Sequence, residues 1–279
     1  MTAKAPEAPE APAAQVKAGR IAVEALREVV GLVKPGVSGA ELDRAAEQAI
    51  RDRGGVPAFK GYRGYGATLC LSINEQVVHG IPGDRKLADG DLASLDLGVK
   101  LDGYYVDTAV TVSVGTPRLE AERLQQVTEA ALGIALRQAR AGNTTGDLGA
   151  AVESYVTEQG FAVVRDCVGH GIGKGLHEEP SVPNYGKKGK GSRFSAGQVV
   201  AIEPMVVAGS PQLKLAEDQW TLSTEDDSLA SHAEETVLIT DGDPVRITPV
   251  TDSLGDPGTL SGEKADARVT KATQNTGSR

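Results

Sequence analysis

Apolar residues recur at helical spacing over residues 16–33, VKAGRIAVEALREVVGLV, and the pattern stops at Lys34-Pro35-Gly36. Ser38 is placed to cap a second helix starting near Ala40. The same two-helix pattern returns over residues 118–140 and 145–159. Residues 67–73, 92–100, 104–114, 161–164, 198–203 and 232–240 read as strands. Each half of the chain is therefore predicted to hold a helix pair followed by a mostly antiparallel sheet. Two such halves side by side make an α+β fold.

The halves also align residue by residue. KPGVSGAELDRAAEQAIRDRGG (34–55) lines up with RAGNTTGDLGAAVESYVTEQGF (140–161) at an offset of 106, setting Gly36 on Gly142, Leu42 on Leu148, Glu47 on Glu153 and Gly54 on Gly160. ADGDLASLDLG (88–98) lines up with SAGQVVAIEPM (195–205) at an offset of 107, and there Asp96 falls on Glu203. Helix matches built on Gly and Leu arise by chance, but an acid meeting an acid in both strands strengthens the case for a duplication. On that symmetry Asp96 and Asp107 of one half are set against Glu203 and Glu234 of the other, with the chemistry at the seam.

The geometry of the first acidic pair follows from the turn between its strands. Asp102-Gly103 is a two-residue hairpin turn that pairs Leu101 with Tyr104 and Gly98 with Asp107. Asp96 and Asp107 then become diagonal cross-strand neighbours, close enough to share metal ions. The competing reading, solvent-facing acids on an amphipathic hairpin, is opposed by the apolar face of Leu95, Leu97 and Val99 and by Gly98, which leaves room on the acidic face. In the second half Glu203 precedes Pro204, which favours extended backbone at a strand end, and a connection of about twenty extra residues (209–230) replaces the tight turn before Glu234. The remaining ligand candidate is His170 in the Gly-rich, loop-like GHGIGKGLHEEP (169–180), with His177 seven residues on and His79 in another Gly-flanked, loop-like segment. That segment lacks the Gly-Lys-Ser/Thr ending of a phosphate loop, so a nucleotide site is not expected. Four carboxylates and one imidazole together point to a two-metal hydrolase.

Composition narrows the field further. A net charge of −9 argues against a general nucleic-acid binder, and the one basic run, GKKGKGSR (186–193), is expected to be a solvated loop, with contact to ribosomal RNA as the alternative. No membrane span or secretory signal is visible, and two cysteines, Cys70 and Cys167, make neither a disulfide framework nor a zinc site. A cytoplasmic protein with reduced, buried thiols is expected. Residues 1–15 are Pro/Ala/Glu-rich and residues 251–279 are polar without an apolar period, so both are expected to be disordered tails around a catalytic domain at 16–250.

Taken together, SINEQVVHGIPGD (72–84), SLDLGVKLDGYYVDTA (94–109), VGHGIGKGLHEEP (168–180), AIEPM (201–205) and the strand around Glu234 resemble the type I methionine aminopeptidases of bacteria, over nearly the whole folded unit. The resemblance implies the duplicated pita-bread fold with a dinuclear metal site at the seam. It implies that Asp96, Asp107, His170, Glu203 and Glu234 hold two divalent metals, with Asp107 and Glu234 shared. Those ions would activate a water for attack on the carbonyl of an N-terminal methionine. Glu203 would relay the proton, His177 would stabilise the oxyanion, and His79 would contact the scissile amide nitrogen. Tyr62, Tyr65, Cys70 and Trp220 would line the methionine pocket; without the resemblance the aromatic residues would read as ordinary core. Co(II), Mn(II), Fe(II) and Zn(II) all suit one imidazole among oxygen donors. The implied substrates are nascent polypeptide N-termini with a small second residue, met by a monomer near the ribosome; Met1-Thr2 of this chain satisfies that rule.

Three positions depart from the family pattern. Leu176 replaces an aromatic residue before the second histidine and is expected to alter the subsite for residue two. Ala233 and Glu235 replace a bulky residue and a histidine on either side of Glu234, and an extra carboxylate there is expected to raise metal affinity or shift the pH optimum. A proline-specific peptidase of the same fold would carry the same five ligands but usually has a large extra N-terminal domain. A non-catalytic pita-bread protein that binds N-termini would typically have lost ligands.

Overall fold

The second helix of each pair opens on the same local device. The Ser38 hydroxyl accepts the backbone N–H of Glu41 at 3.3 Å while the Glu41 carboxylate accepts the N–H of Ser38 at 2.8 Å; Thr144 and Asp147 repeat the exchange at 3.2 and 2.8 Å. These boxes start α2 (Gly39–Asp52) and α4 (Thr145–Glu158), each preceded by a longer helix, α1 (Ala13–Leu32) and α3 (Leu119–Gln138). The computed structural model describes residues 9–250, so residues 1–8, including Met1-Thr2, and the expected tail 251–279 lie outside the described residues. Residues 13–15, assigned to the N-terminal tail by composition, are the first residues of α1 instead. Gln15 is buried and its amide donates to the carbonyls of Tyr105 (2.9 Å) and Ile172 (3.3 Å), one in each half.

The first half continues with β1 (Val56–Pro57), β2 (Leu69–Ile73), β3 (Gln76–Val78), β4 (Leu92–Leu101) and β5 (Tyr104–Ser113). The second half supplies β6 (Ala162–Val163), β7 (Gly169–Gly171), β8 (Glu178–Val182), β9 (Val199–Ile202), β10 (Met205–Val207), β11 (Leu213–Leu215), β12 (Leu222–Thr224), β13 (Ala230–His232), β14 (Glu234–Leu238) and β15 (Val245–Arg246). The main sheet runs β1-β4-β5-β14-β9-β7-β8, antiparallel throughout, with β2 also on β4 and β15 on β14. The two halves meet where β5 pairs β14. Each half has its own apolar core: α1 and α2 pack on β2, β4 and β5 through residues such as Leu26, Leu42, Leu95 and Leu97, and α3 and α4 pack on the second half's strands through Leu124, Leu148, Val200 and Val237.

The hairpin register is the predicted one, Gly98 opposite Asp107 and Leu101 opposite Tyr104. Three expectations change. The strand expected over residues 232–240 is two strands in two sheets: β13 pairs β10, and β14 pairs β5 and β9. The break falls at Ala233, whose N–H turns to the carbonyl of Pro204 at 3.2 Å. His170 lies on β7, not in a loop, and its flanking glycines make room for neighbouring backbone: a Cβ on Gly171 would stand 2.2 Å from the Glu179 carbonyl oxygen. Gly98 likewise does not open space at the acids, because a Cβ there would meet Phe59 at 2.8 Å and Ala58 at 2.9 Å. The lysines of the 186–193 loop are exposed, and the loop is tied to the start of α4 by Gly146 N–H to Lys190 O and Gly189 N–H to Asp147 Oδ1, both 2.9 Å. Among the described residues no helix is long and apolar enough to cross a membrane.

Candidate metal centre

Five neighbouring strands of the main sheet each bring one candidate ligand to the same place. In spatial order these are Asp96 on β4, Asp107 on β5, Glu234 on β14, Glu203 immediately after β9, and His170 on β7. Ligand atoms of Asp107, His170 and Glu234 all lie within 4.8 Å of one another, and His170 Nε2 is 3.6 Å from Glu203 Oε1. Asp96 and Asp107 interact directly. The structure therefore brings together all five.

Hydroxyls hold the backbone at the seam where the ladder is short. Thr236 Oγ1 accepts the Asp107 N–H (2.9 Å) and donates to the Asp107 carbonyl (2.8 Å), while Thr108 Oγ1 donates to the Glu234 carbonyl (3.0 Å). Asn184 holds the Glu203 carbonyl at 2.9 Å. The ring of His170 is oriented by Nδ1, 2.9 Å from the carbonyl of Gly171. A carbonyl only accepts, so Nδ1 carries the proton and Nε2 presents its lone pair to the acids, the tautomer a metal requires.

The electrostatics of the cluster are those of a site built for cations. Burial, then the charges of Asp107 and Glu203, push Asp96 well above the carboxylate range; burial and the neighbouring acids do the same to Glu203 and Glu234. Burial raises Asp107 to about 7 against the lowering effects of Asp96 and the Thr108 N–H, which donates to Asp107 Oδ1 at 3.0 Å. Among the described residues none of the four is paired with a Lys or Arg; the basic neighbours of Glu203 and Glu234 are imidazoles. Asp96 Oδ1 and Glu234 Oε1 are buried without a hydrogen-bond partner. Three buried acids and the half-buried Glu203, two of them with an unpartnered oxygen, and one oriented imidazole fit divalent cations, whose charge would offset the repulsion and desolvation that otherwise favour protonation.

The other expected residues surround this centre. Cys70 lies directly opposite Asp96 in the β2–β4 register, and burial followed by Asp96 raises its thiol well above the usual range. Tyr62, Tyr65 and Trp220 join Cys70, Phe59, Ile172 and Leu176 in one apolar cluster, Trp220 standing edge-on to Tyr65 at 5.1 Å. Tyr65 turns its hydroxyl to the carbonyls of Leu69 and Gly80, beside the Cys70 thiol, and its ring lies in the cluster. His177 is open to solvent, with Nδ1 3.0 Å from the Tyr62 hydroxyl and its ring 4.3 Å from that of His170; desolvation, then His170, lowers it to about 4. His79 is exposed and desolvated enough to be lowered, and it is held at φ +60°, a left-handed conformation that a non-glycine residue keeps only where its surroundings require it.

One residue at the centre went unread in the sequence. His232 is buried, with Nε2 3.8 Å from Glu203 Oε2 and 3.9 Å from Glu234 Oε2, and burial, then His79, lowers it to about 3. All four histidines of the chain thus gather here. The repeat contained the signal. Met205 is the equivalent of Gly98, Gly98 pairs with Asp107, and Met205 pairs with His232. The expected correspondence of Asp107 with Glu234 is therefore corrected: by register Asp107 corresponds to His232, while Asp96 and Glu203 remain equivalent. Glu235 departs from expectation as well. Alternation along β14 turns it away from Glu234, and its buried carboxylate takes a two-point contact from Arg246.

Residues 14–241 match metallopeptidase family M24. Methionine aminopeptidase 1 of Bacillus subtilis is 45% identical over 225 residues, 81% of this chain and 91% of that protein. The crystal structure of methionine aminopeptidase from Thermotoga maritima superposes with a TM-score of 0.83 at 38% identity, covering 86% of this chain and 98% of the other. Prolidase from Pyrococcus furiosus shares the fold alone, with a TM-score of 0.68 at 24% identity over 84% of this chain and 62% of its own. The chain belongs to metallopeptidase family M24, among the bacterial methionine aminopeptidases.

Proposed function

We propose that this protein is a metal-dependent methionine aminopeptidase that removes the initiator methionine from nascent polypeptides and favours a small second residue. The observation that carries the proposal is the buried cluster of four carboxylates and His170, drawn from both halves and set against the apolar cluster of Tyr62, Tyr65, Cys70 and Trp220. Asp96, Asp107, His170, Glu203 and Glu234 would hold two divalent ions, in a donor set that suits Co(II), Mn(II), Fe(II) or Zn(II). The chemistry such ions would supply there is a lowered pKa of water and a polarised scissile carbonyl. Glu203 accepts the proton and relays it to the leaving amine. His177, steadied by Tyr62, donates to the developing oxyanion, and His79 contacts the scissile amide nitrogen. The aromatic faces and the Cys70 thiol suit a polarizable thioether. The proposed reaction is cytoplasmic, on chains leaving the ribosome, with a monomer as the working unit.

The test is release of free methionine from Met-Ala-Ser and Met-Leu-Ser, with metal-stripped protein and after adding Mn(II) or Co(II). Metal-dependent cleavage of the alanine peptide is expected. Cleavage of the leucine peptide as well would overturn the preference for a small second residue, and no cleavage of either despite bound metal would overturn the enzyme.

A further inference from the structure

The mechanism above gives no part to His232, yet its Nε2 is buried, has no hydrogen-bond partner and faces two carboxylates at 3.8 and 3.9 Å. Leaving such an atom unpaired is costly, and both groups before it are acceptors, with Glu234 Oε1 unpaired as well. The ring is aimed by a fixed backbone. Thr111 Oγ1 accepts the His232 N–H at 2.9 Å and donates its single hydrogen to the His232 carbonyl at 2.7 Å, so Ser94 Oγ, 2.7 Å away, must donate to Thr111. Thr111 and Ser94 belong to β5 and β4, so the first half holds an imidazole against two acids of the second.

The duplication leads to the same residue independently, since His232 occupies the register position that Asp107 occupies in the first half. We propose that His232 is a positioning residue whose Nε2–H is shared between the carboxylates of Glu203 and Glu234 and fixes both in the orientation that holds metal. It touches neither substrate nor reacting atoms. The inference rests on the metal centre proposed above and adds the residue that orders two of its ligands. Outer partners of this kind are worth about 10- to 100-fold in metal affinity.

The experiment is calorimetric titration of Co(II) into metal-stripped wild type, His232→Leu and His232→Gln, with the visible absorption band recorded at saturation. The leucine variant is expected to bind about 10- to 100-fold more weakly. The glutamine variant, whose amide N–H reaches the same acceptors, is expected to recover most of the loss, with the band unchanged in all three because the ligand set is untouched. Where leucine does not fold, His232→Asn, too short to reach the acids, carries the same expectation. Unchanged affinity in the leucine or asparagine variant overturns the inference alone. A band altered in every variant, without rescue by glutamine, overturns it in favour of a direct imidazole ligand. No Co(II) binding by wild type overturns the metal centre itself.

Discussion

The first half of the molecule closes its acidic strands with a two-residue turn, and the second half closes the equivalent strands with an excursion from β10 to β13. Up to that point the halves are copies: the same capping box, the same helix pair, an acid at Asp96 and another at Glu203. Beyond it they diverge in chemistry. The tight hairpin can only return Asp107 beside Asp96. The excursion brings Trp220 to Tyr65 in the apolar cluster, puts β12 on β3 of the other half, and delivers His232 and Glu234 on two different strands. Duplication thus supplied matched acids, and the insertion made one side of the centre different from the other.

The largest test of that asymmetry exchanges matched acids. Glu203→Gln is expected to lower kcat about 10²- to 10⁴-fold even with excess metal, because the proposed mechanism makes it a proton relay as well as a ligand. Asp96→Asn is expected to lose activity mainly at low metal and to regain it as metal is raised. Methionine release across a Mn(II) titration separates the two, and parallel behaviour would show that the halves contribute alike.

Metal removal should act on both halves at once. Burial raises Asp107 from 3.8 to about 7, so the folded, metal-free protein holds this proton more tightly than the unfolded chain does. That contribution is fully present below pH 3.8 and is lost as pH rises through about 7; Asp96, Glu203 and Glu234 shift in the same direction. The Tm of metal-stripped protein is expected to fall over this range, and added metal should abolish the fall. A pH-independent Tm without metal would contradict the buried acidic cluster.

The smallest effect tests the likeness. Ser38→Ala and Thr144→Ala should each cost about 1 kcal/mol of stability by denaturant unfolding, with similar values for the two. A large disparity would mean that the capping boxes no longer do equivalent work.

Sequence reading reached the parts governed by local chemistry. Ser38 announced α2, the repeated two-helix pattern announced α4, and Asp102-Gly103 set the hairpin register residue by residue. The acids were legible because the repeat carried one onto the other. His232 was not, because the intervening insertion hid its register from linear alignment. β7 and β13 are each three residues long, too short to show a period, so His170 read as a loop residue and 232–240 as a single strand. Glu235 looked like part of the site because adjacency in sequence hides the alternation of a strand.

The place of β14 in the sheet has a consequence for synthesis. It lies between β5 and β9, so until residue 238 has been made the central strand is missing and the two facing edges have nothing to pair with. Domains form from the N-terminus as the chain emerges, and unpaired edges are exposed meanwhile. The half-made chain holds Asp96 and Asp107 in a finished hairpin but lacks Glu234 and the hydroxyl of Thr236 that grips the Asp107 backbone. The cluster of four acids and His170 is therefore completed only when β14 enters between β5 and β9.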